Sequence, residues 1–227
     1  MEAVKGILEK TPLFAGISPE RMDKILHQKG NRIKKYSQES FLFHEEELPQ
    51  NLFVLISGKI SIATDTMSGR RILITQITEP GEIFGEVYLF RGEENYYDIY
   101  ARAEEDSIVF QMSRESFQNG DSSLLQNLLN LFAEKAYFLS SKVRILGGDT
   151  LREKIVRFLY EAYRNRQPGV GGAGLSVKIK RETMADFLNV ARPSLSRELS
   201  RMQKEGILRL RGREILVEDF EAFERYL

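Results

Sequence analysis

Seven apolar residues, Leu125, Leu129, Phe132, Ala136, Leu139, Val143 and Leu146, follow one another at alternating spacings of four and three. That spacing holds a seam on one side of an α-helix for about three heptads, and it predicts a single helix over residues 121–146. A second apolar stripe, Leu124, Leu128, Leu131, Phe138 and Ile145, runs beside the first. One stripe is expected to pack on the chain's own domain and the other on a second copy, which makes a parallel homodimer the expected assembly. The alternative is a single wide stripe facing the core of a monomer. Gly147-Gly148 is expected to end the helix, as a C′ glycine pair and a hinge.

The two flanks of this helix differ in kind. Residues 1–30 read as short helices, with Ser18 an N-cap, Pro19 the first helical residue and Gly30 a stop. Between 31 and 112, short runs rich in Val, Ile, Phe and Tyr occupy 40–44, 52–57, 59–64, 71–77, 96–103 and 107–111. Gly58, Ser68-Gly69, Pro80-Gly81 and Gly92 punctuate them, a pattern that predicts an antiparallel barrel or sandwich. Beyond the long helix, Asp149 is read as the cap of a helix reaching about Arg164. A glycine-rich loop at 168–174, a strand at 175–180 and two helices follow. A hairpin over 207–217 turning at Arg211-Gly212 and a last helix to Leu227 complete the chain. The expected fold class is α+β, divided into 1–120, 121–148 and 149–227.

The 227 residues include no cysteine, which excludes disulfides, thiolate zinc sites, iron–sulfur clusters and cysteine nucleophiles. No secretory leader and no run of about 18 apolar residues is visible, so the expectation is a cytoplasmic chain with no membrane partner. No Ser–His–Asp arrangement, phosphate loop or metal spacing supports an enzyme. Basic and acidic residues balance at 33 each, yet 1–148 carries 17 against 21 and 149–227 carries 16 against 12. Between Lys178 and Arg213 there are 10 basic and 4 acidic residues. Such a split suggests a sensor or scaffold joined to a polyanion-binding domain.

Residues 181–208 give that idea a geometry. Met184, Ala185, Leu188 and Val190, then Leu195, Leu199 and Met202, are the inward positions of two short helices. Asn189 suits a left-handed turn between them, and Pro193 fits only a first turn, so the second helix begins near Arg192. This is a helix-turn-helix, followed by a hairpin as wing. A recognition helix enters the major groove N-terminus first, placing Arg192, Ser194, Ser196 and Arg197 against DNA. Arg197 has the fork to bond guanine O6 and N7, and Ser196 reads a base edge or phosphate. Arg201, Lys178, Lys180 and Arg181 are assigned to phosphates, and Arg209, Arg211 and Arg213 to the flanking backbone.

With these pieces in place, the chain resembles the cyclic-AMP receptor protein / fumarate–nitrate reduction regulator (Crp/Fnr) superfamily over essentially its whole length. The matching segments are PLFAGIS (12–18), LISGKI (55–60), GEIFGEVYLF (81–90) and ARPSLSREL…EGIL at the helix-turn-helix. The resemblance implies an N-terminal double-stranded β-roll sensor, a long dimerisation helix and a C-terminal winged helix-turn-helix. It also implies a homodimer that reads a palindromic operator in double-stranded DNA, with RNA polymerase as a further partner.

Departures from the family pattern bear on the effector. Gly85-Glu86 survive where the family engages a ribose. Tyr97-Asp98 stands where cyclic-AMP-binding members place Arg-Ser on the cyclic phosphate, and a carboxylate there repels that phosphate. Leu139-Ser140 stands where those members use Thr-Ser on adenine. These changes argue against cyclic AMP and leave the effector unknown. An iron–sulfur cluster lacks its cysteines. Haem would need an axial ligand, and His27 and His44, the two histidines, have no spaced partner; Glu45–Glu47 beside His44 read as a solvated loop. Members commonly carry Glu where Pro193 stands, so the half-site is expected to differ at that base pair. The competing readings are a haem- or metabolite-sensing regulator of the same family and a regulatory module acting on a protein partner.

Overall fold

The computed structural model describes residues 2–92, 95–118, 122–165 and 175–227. They fall in two compact units, Met1–Ala133 and Glu134–Leu227.

The first unit opens with helices α1 (Glu2–Leu8) and α2 (Pro19–His27). Eight strands follow: β1 (Arg32–Tyr36), β2 (Phe41–Phe43), β3 (Asn51–Ser57), β4 (Ile60–Asp65), β5 (Arg71–Ile77), β6 (Ile83–Phe84), β7 (Tyr100–Ala103) and β8 (Ser107–Ser113). They form two antiparallel sheets, ordered β1-β8-β3-β6 and β2-β7-β4-β5, with helix α3 (Glu86–Leu89) between β6 and β7 and α4 (Glu115–Gln118) after β8. The alternation of strands between sheets gives the expected roll.

Strand β3 shows why the unit has two cores. Its residues Leu52 to Ile56 are all buried, because each face of the strand is covered. Phe53 and Leu55 point into the roll with Tyr36, Phe43, Ile60 and Ala101. Leu52, Val54 and Ile56 point outward, onto Leu8, Leu13, Met22, Leu124 and Leu128. Gly58 turns the chain at φ +98° where a Cβ would lie 2.2 Å from Ser107 Oγ, so the LISGKI glycine is a requirement of close strand approach.

Helix α5 (Ser122–Leu146) is the expected long helix; its anticipated first residue, Asp121, lies outside the described residues. Leu124, Leu128 and Ile145 of the second stripe are buried, whereas Phe138 is exposed and meets Phe187 edge-on. In the heptad seam Leu125, Leu129, Ala136, Leu139 and Val143 are exposed; Phe132 and Leu146 are half-buried.

The second unit adds α6 (Leu151–Arg164), β9 (Ser176–Lys178), α7 (Arg181–Phe187), α8 (Arg192–Lys204), β10 (Leu208–Arg211), β11 (Glu214–Val217) and α9 (Phe220–Glu224), with the sheet ordered β10-β11-β9. Two local expectations need correction. The cap of α6 is Thr150, not Asp149: the Thr150 hydroxyl accepts from Glu153 N–H, and Glu153 Oε2 accepts from Asp149 N–H at 2.9 Å, a reciprocal arrangement shifted by one residue from a capping box. Gly148 is required by proximity and not by a left-handed cap, since a Cβ there would lie 3.0 Å from Glu153 Cβ. Ser18 does sit at the N-cap of α2, but its side chain makes no capping bond. The glycine-rich loop at 168–174 lies outside the described residues.

Candidate nucleic-acid interface

The pair α7–α8 is built around a buried seam. Met184, Ala185, Leu188, Leu195, Leu199 and Met202 are essentially fully enclosed, together with Ile155, Val177 and Ile215. Asn189 takes φ +52°, and Val190 N–H donates to Ala185 O at 3.0 Å, turning the chain into Ala191, the N-cap of α8. Pro193 lies in the first turn, where no helical N–H is lost. Truncation of Leu195 or Leu199 to alanine would cost about 2–5 kcal/mol by the cavity left behind.

Burying that seam turns the other face of α8 outward. Ser196, Arg197, Ser200, Arg201 and Lys204 line one open depression along the helix. Arg197 is exposed and lightly held, by Pro193 O at 3.4 Å and Ser194 Oγ at 3.3 Å, so its fork is little committed within the chain. Arg192 pairs with Glu182 at 2.9 Å and Arg201 with Glu198 at 2.9 Å, both at exposed guanidinium groups. Ser194 and Ser196 are half-buried.

The flanking cations divide. Lys178 and Lys180 are exposed, and so are Arg209, Arg211 and Arg213 on the β10–β11 hairpin, which turns at Gly212-Arg213. Arg209 is paired with Glu218. Arg181 is half-buried; one of its guanidinium nitrogens is enclosed without a partner among the described residues, and burial lowers its pKa.

Arg152 of α6 is a residue that sequence reasoning missed. Its guanidinium binds Glu198 at 2.7 Å and both oxygens of Glu205 at 2.5 and 2.9 Å, and it lies over the Tyr226 ring. The two carboxylates belong to α8 and its C-cap, so Arg152 ties α8 to α6 from behind. These bonds hold the guanidinium charged and lower the Glu205 pKa. Its partners lie 46 and 53 residues away, and no local pattern announces them.

In the first unit, Gly85 starts α3 at φ +78°, with no room for a Cβ beside the Phe53 ring. Glu86 is buried. Tyr97 is 3% exposed, stacked on Phe43, and its hydroxyl has no partner among the described residues; burial, then the nearby Glu47 carboxylate, raises its pKa. Asp98 is exposed and accepts from the Tyr88 hydroxyl, whose pKa burial and that bond push up to about 12. Tyr88, another residue missed from the sequence, therefore ties the 85–86 and 97–98 pairs together. A cleft of 450 Å³ opens beside Tyr97, with Arg32, Lys34, Phe43, Phe53 and Glu47 in its walls. Leu139 and Ser140 lie in the second unit, exposed, with Ser140 Oγ accepting from Arg144 at 3.3 Å.

His27 Nδ1 donates locally to Asp23 O at 2.8 Å, and His44 stacks on Phe41. Among the described residues no group of three metal-ligating side chains converges, and no helix is long and apolar enough to cross a membrane.

Comparison with known proteins matches both units. The family model of the cyclic nucleotide-binding domain matches residues 33–120, and that of the Crp-like helix-turn-helix domain matches residues 153–226. The cyclic AMP receptor protein of Thermus thermophilus is 26% identical over 206 residues, covering 89% of this chain and 90% of that one. The cAMP-activated global transcriptional regulator Vfr of Pseudomonas aeruginosa is 23% identical over 203 residues, covering 87% and 94%. The crystal structure of the Thermus thermophilus catabolite activator protein superposes with a TM-score of 0.53 at 25% identity, covering 95% of this chain and 98% of that one. The chain belongs to the Crp/Fnr family: it is a transcription regulator with a helix-turn-helix DNA-binding domain.

Proposed function

We propose that the chain acts in the cytoplasm as a homodimeric, sequence-specific regulator, whose roll answers an effector other than cyclic AMP. The observation that carries the DNA reading is α8 itself: Leu195 and Leu199 are buried while Ser196, Arg197, Ser200 and Arg201 line the outward depression. Arg192, Ser194, Ser196 and Arg197 read or flank bases, Arg201, Lys180 and Arg181 meet phosphates, and Arg211 and Arg213 form the wing. Because Arg181 is half-buried, its share of phosphate contact is the smallest of these.

The dimer rests on the exposed seam. Leu139 and Val143 are 60% and 71% exposed in a single chain, on a stripe that runs beside the buried Leu124 and Leu128. Leu125, Leu129, Phe132, Ala136 and Leu146 extend the same line, and pairing two such seams buries them. Two recognition helices about 34 Å apart then face a palindrome.

Tyr97-Asp98 supports a ligand other than cyclic AMP, since an aromatic stack and a carboxylate replace a phosphate anchor. Haem, a protein partner for the roll, and RNA polymerase as a contact at the promoter have no specific observation in their favour. Selection from random duplexes tests the proposal. Recovery of inverted repeats with centres one helical turn apart is the expected result; unpaired half-sites, or no enrichment, would contradict it.

A further inference from the structure

The second unit holds a cleft away from α8 that the DNA reading does not use. It measures 380 Å³ and lies between the last turn of α5 and the outer face of α6. Arg157, Glu161 and Arg164 follow at spacings of four and three along α6, which puts them on one helix face, and Arg144 of α5 comes in from the side. Ile145, Tyr160 and Leu227 supply apolar walls.

The charges in this cleft are incompletely matched. Arg144 pairs with Glu161 Oε1 at 3.0 Å. Arg157 gives one N–H to Arg144 O at 3.1 Å, while Arg164 lies over the Tyr160 ring. Two enclosed polar atoms have no partner among the described residues: Arg157 Nε, a donor, and Glu161 Oε2, an acceptor. Leaving both unbonded is costly in a place that water reaches poorly. One small molecule that offers an acceptor and a donor side by side, on an apolar body, completes the set.

We propose that this cleft binds a small α-amino acid with an apolar side chain. Its carboxylate bonds Arg157 and Arg164, whose planar forks suit that group. The ammonium donates to Glu161 Oε2, and the side chain lies against Ile145, Tyr160 and Leu227. Because Arg157 already bonds the end of α5, an occupant braces α6 against that turn. The proposal is independent of how α8 reads DNA.

The test is calorimetric titration of the full chain without DNA, with L-leucine and L-phenylalanine as probes. Binding of at least one is expected. For the probe that binds, the methyl ester, which lacks the carboxylate, and the des-amino acid, which lacks the ammonium, should each bind about tenfold more weakly or worse. Arg164→Gln, at an exposed position that leaves the fold intact, should weaken the amino acid and the des-amino acid alike. Glu161→Gln should weaken the amino acid and spare the des-amino acid. Absence of heat with both probes, equal affinity for all three forms, or unchanged affinity in Arg164→Gln would overturn the assignment.

Discussion

Tyr97 lies face to face with Phe43, ring centroids 3.9 Å apart and planes within 13° of parallel. The Tyr88 ring closes on the same residue at 5.0 Å. This stack leaves a buried hydroxyl with nothing to bond among the described residues.

That hydroxyl is a liability to the free protein. Tyr97→Phe keeps the stack and removes the unbonded group, so it should raise unfolding stability by about 1 kcal/mol. The urea midpoint reports this directly. A fall in stability would mean that the hydroxyl is bonded in solution, to water or to a retained ligand.

Val143 and Leu139 are the most exposed apolar residues of the α5 seam. Val143→Asp should turn a dimer into a monomer by sedimentation, with the stability of the isolated chain changed by no more than about 0.5 kcal/mol. A variant that stays dimeric would place the interface elsewhere.

Glu104 accepts from the Ser61 hydroxyl at 2.5 Å and from Arg71 at 2.6 Å, and these bonds hold its carboxyl down to about 2. Since the folded pKa is depressed, the carboxylate's contribution is complete above its ordinary value of 4.5 and is lost as pH falls toward 2. Glu104→Gln should therefore lose less stability than the wild type between neutral and acidic solution. Parallel stability curves would show that the network does not titrate with folding.

Arg152→Met removes the ion pairs to Glu198 and Glu205 that tie α6 to the back of α8, while keeping the apolar stem. It should destabilise the second unit by about 1–3 kcal/mol, read as a lower urea midpoint. Binding to a selected operator should weaken more than binding to random duplex, because a recognition helix free to roll loses its register first. Equal weakening on both would reduce Arg152 to a purely structural role.

Much of this architecture was legible because its signals are local and periodic. The α5 seam repeats for three heptads, and Pro193 marks the start of α8 by a steric rule that tertiary context cannot relax. The missed elements lack such signals. Strand β1 reads Arg-Ile-Lys-Lys-Tyr and is exposed at four of its five positions, because it is an edge strand held only by β8. Strand β6 has two residues. The Thr150 cap was visible in principle, as Thr-x-x-Glu ending at Glu153, but the adjacent Asp149 is an equally good capping type. The site divides in the same way. Ser196 and Arg197 follow from helix phase, whereas Arg152 on α8 and Phe43 on Tyr97 are meetings between distant segments that only folding reveals.

Base reading by α8 rests on Arg197. The decisive measurement is the affinity of Arg197→Ala for a selected operator and for random duplex at one fixed salt concentration, with Lys180→Ala as the comparison. Arg197→Ala should lose about 1–3 kcal/mol on the operator and little on random sequence. Lys180→Ala should weaken both alike and lower the salt slope by about one. Equal losses on both duplexes for Arg197→Ala would contradict base reading by α8.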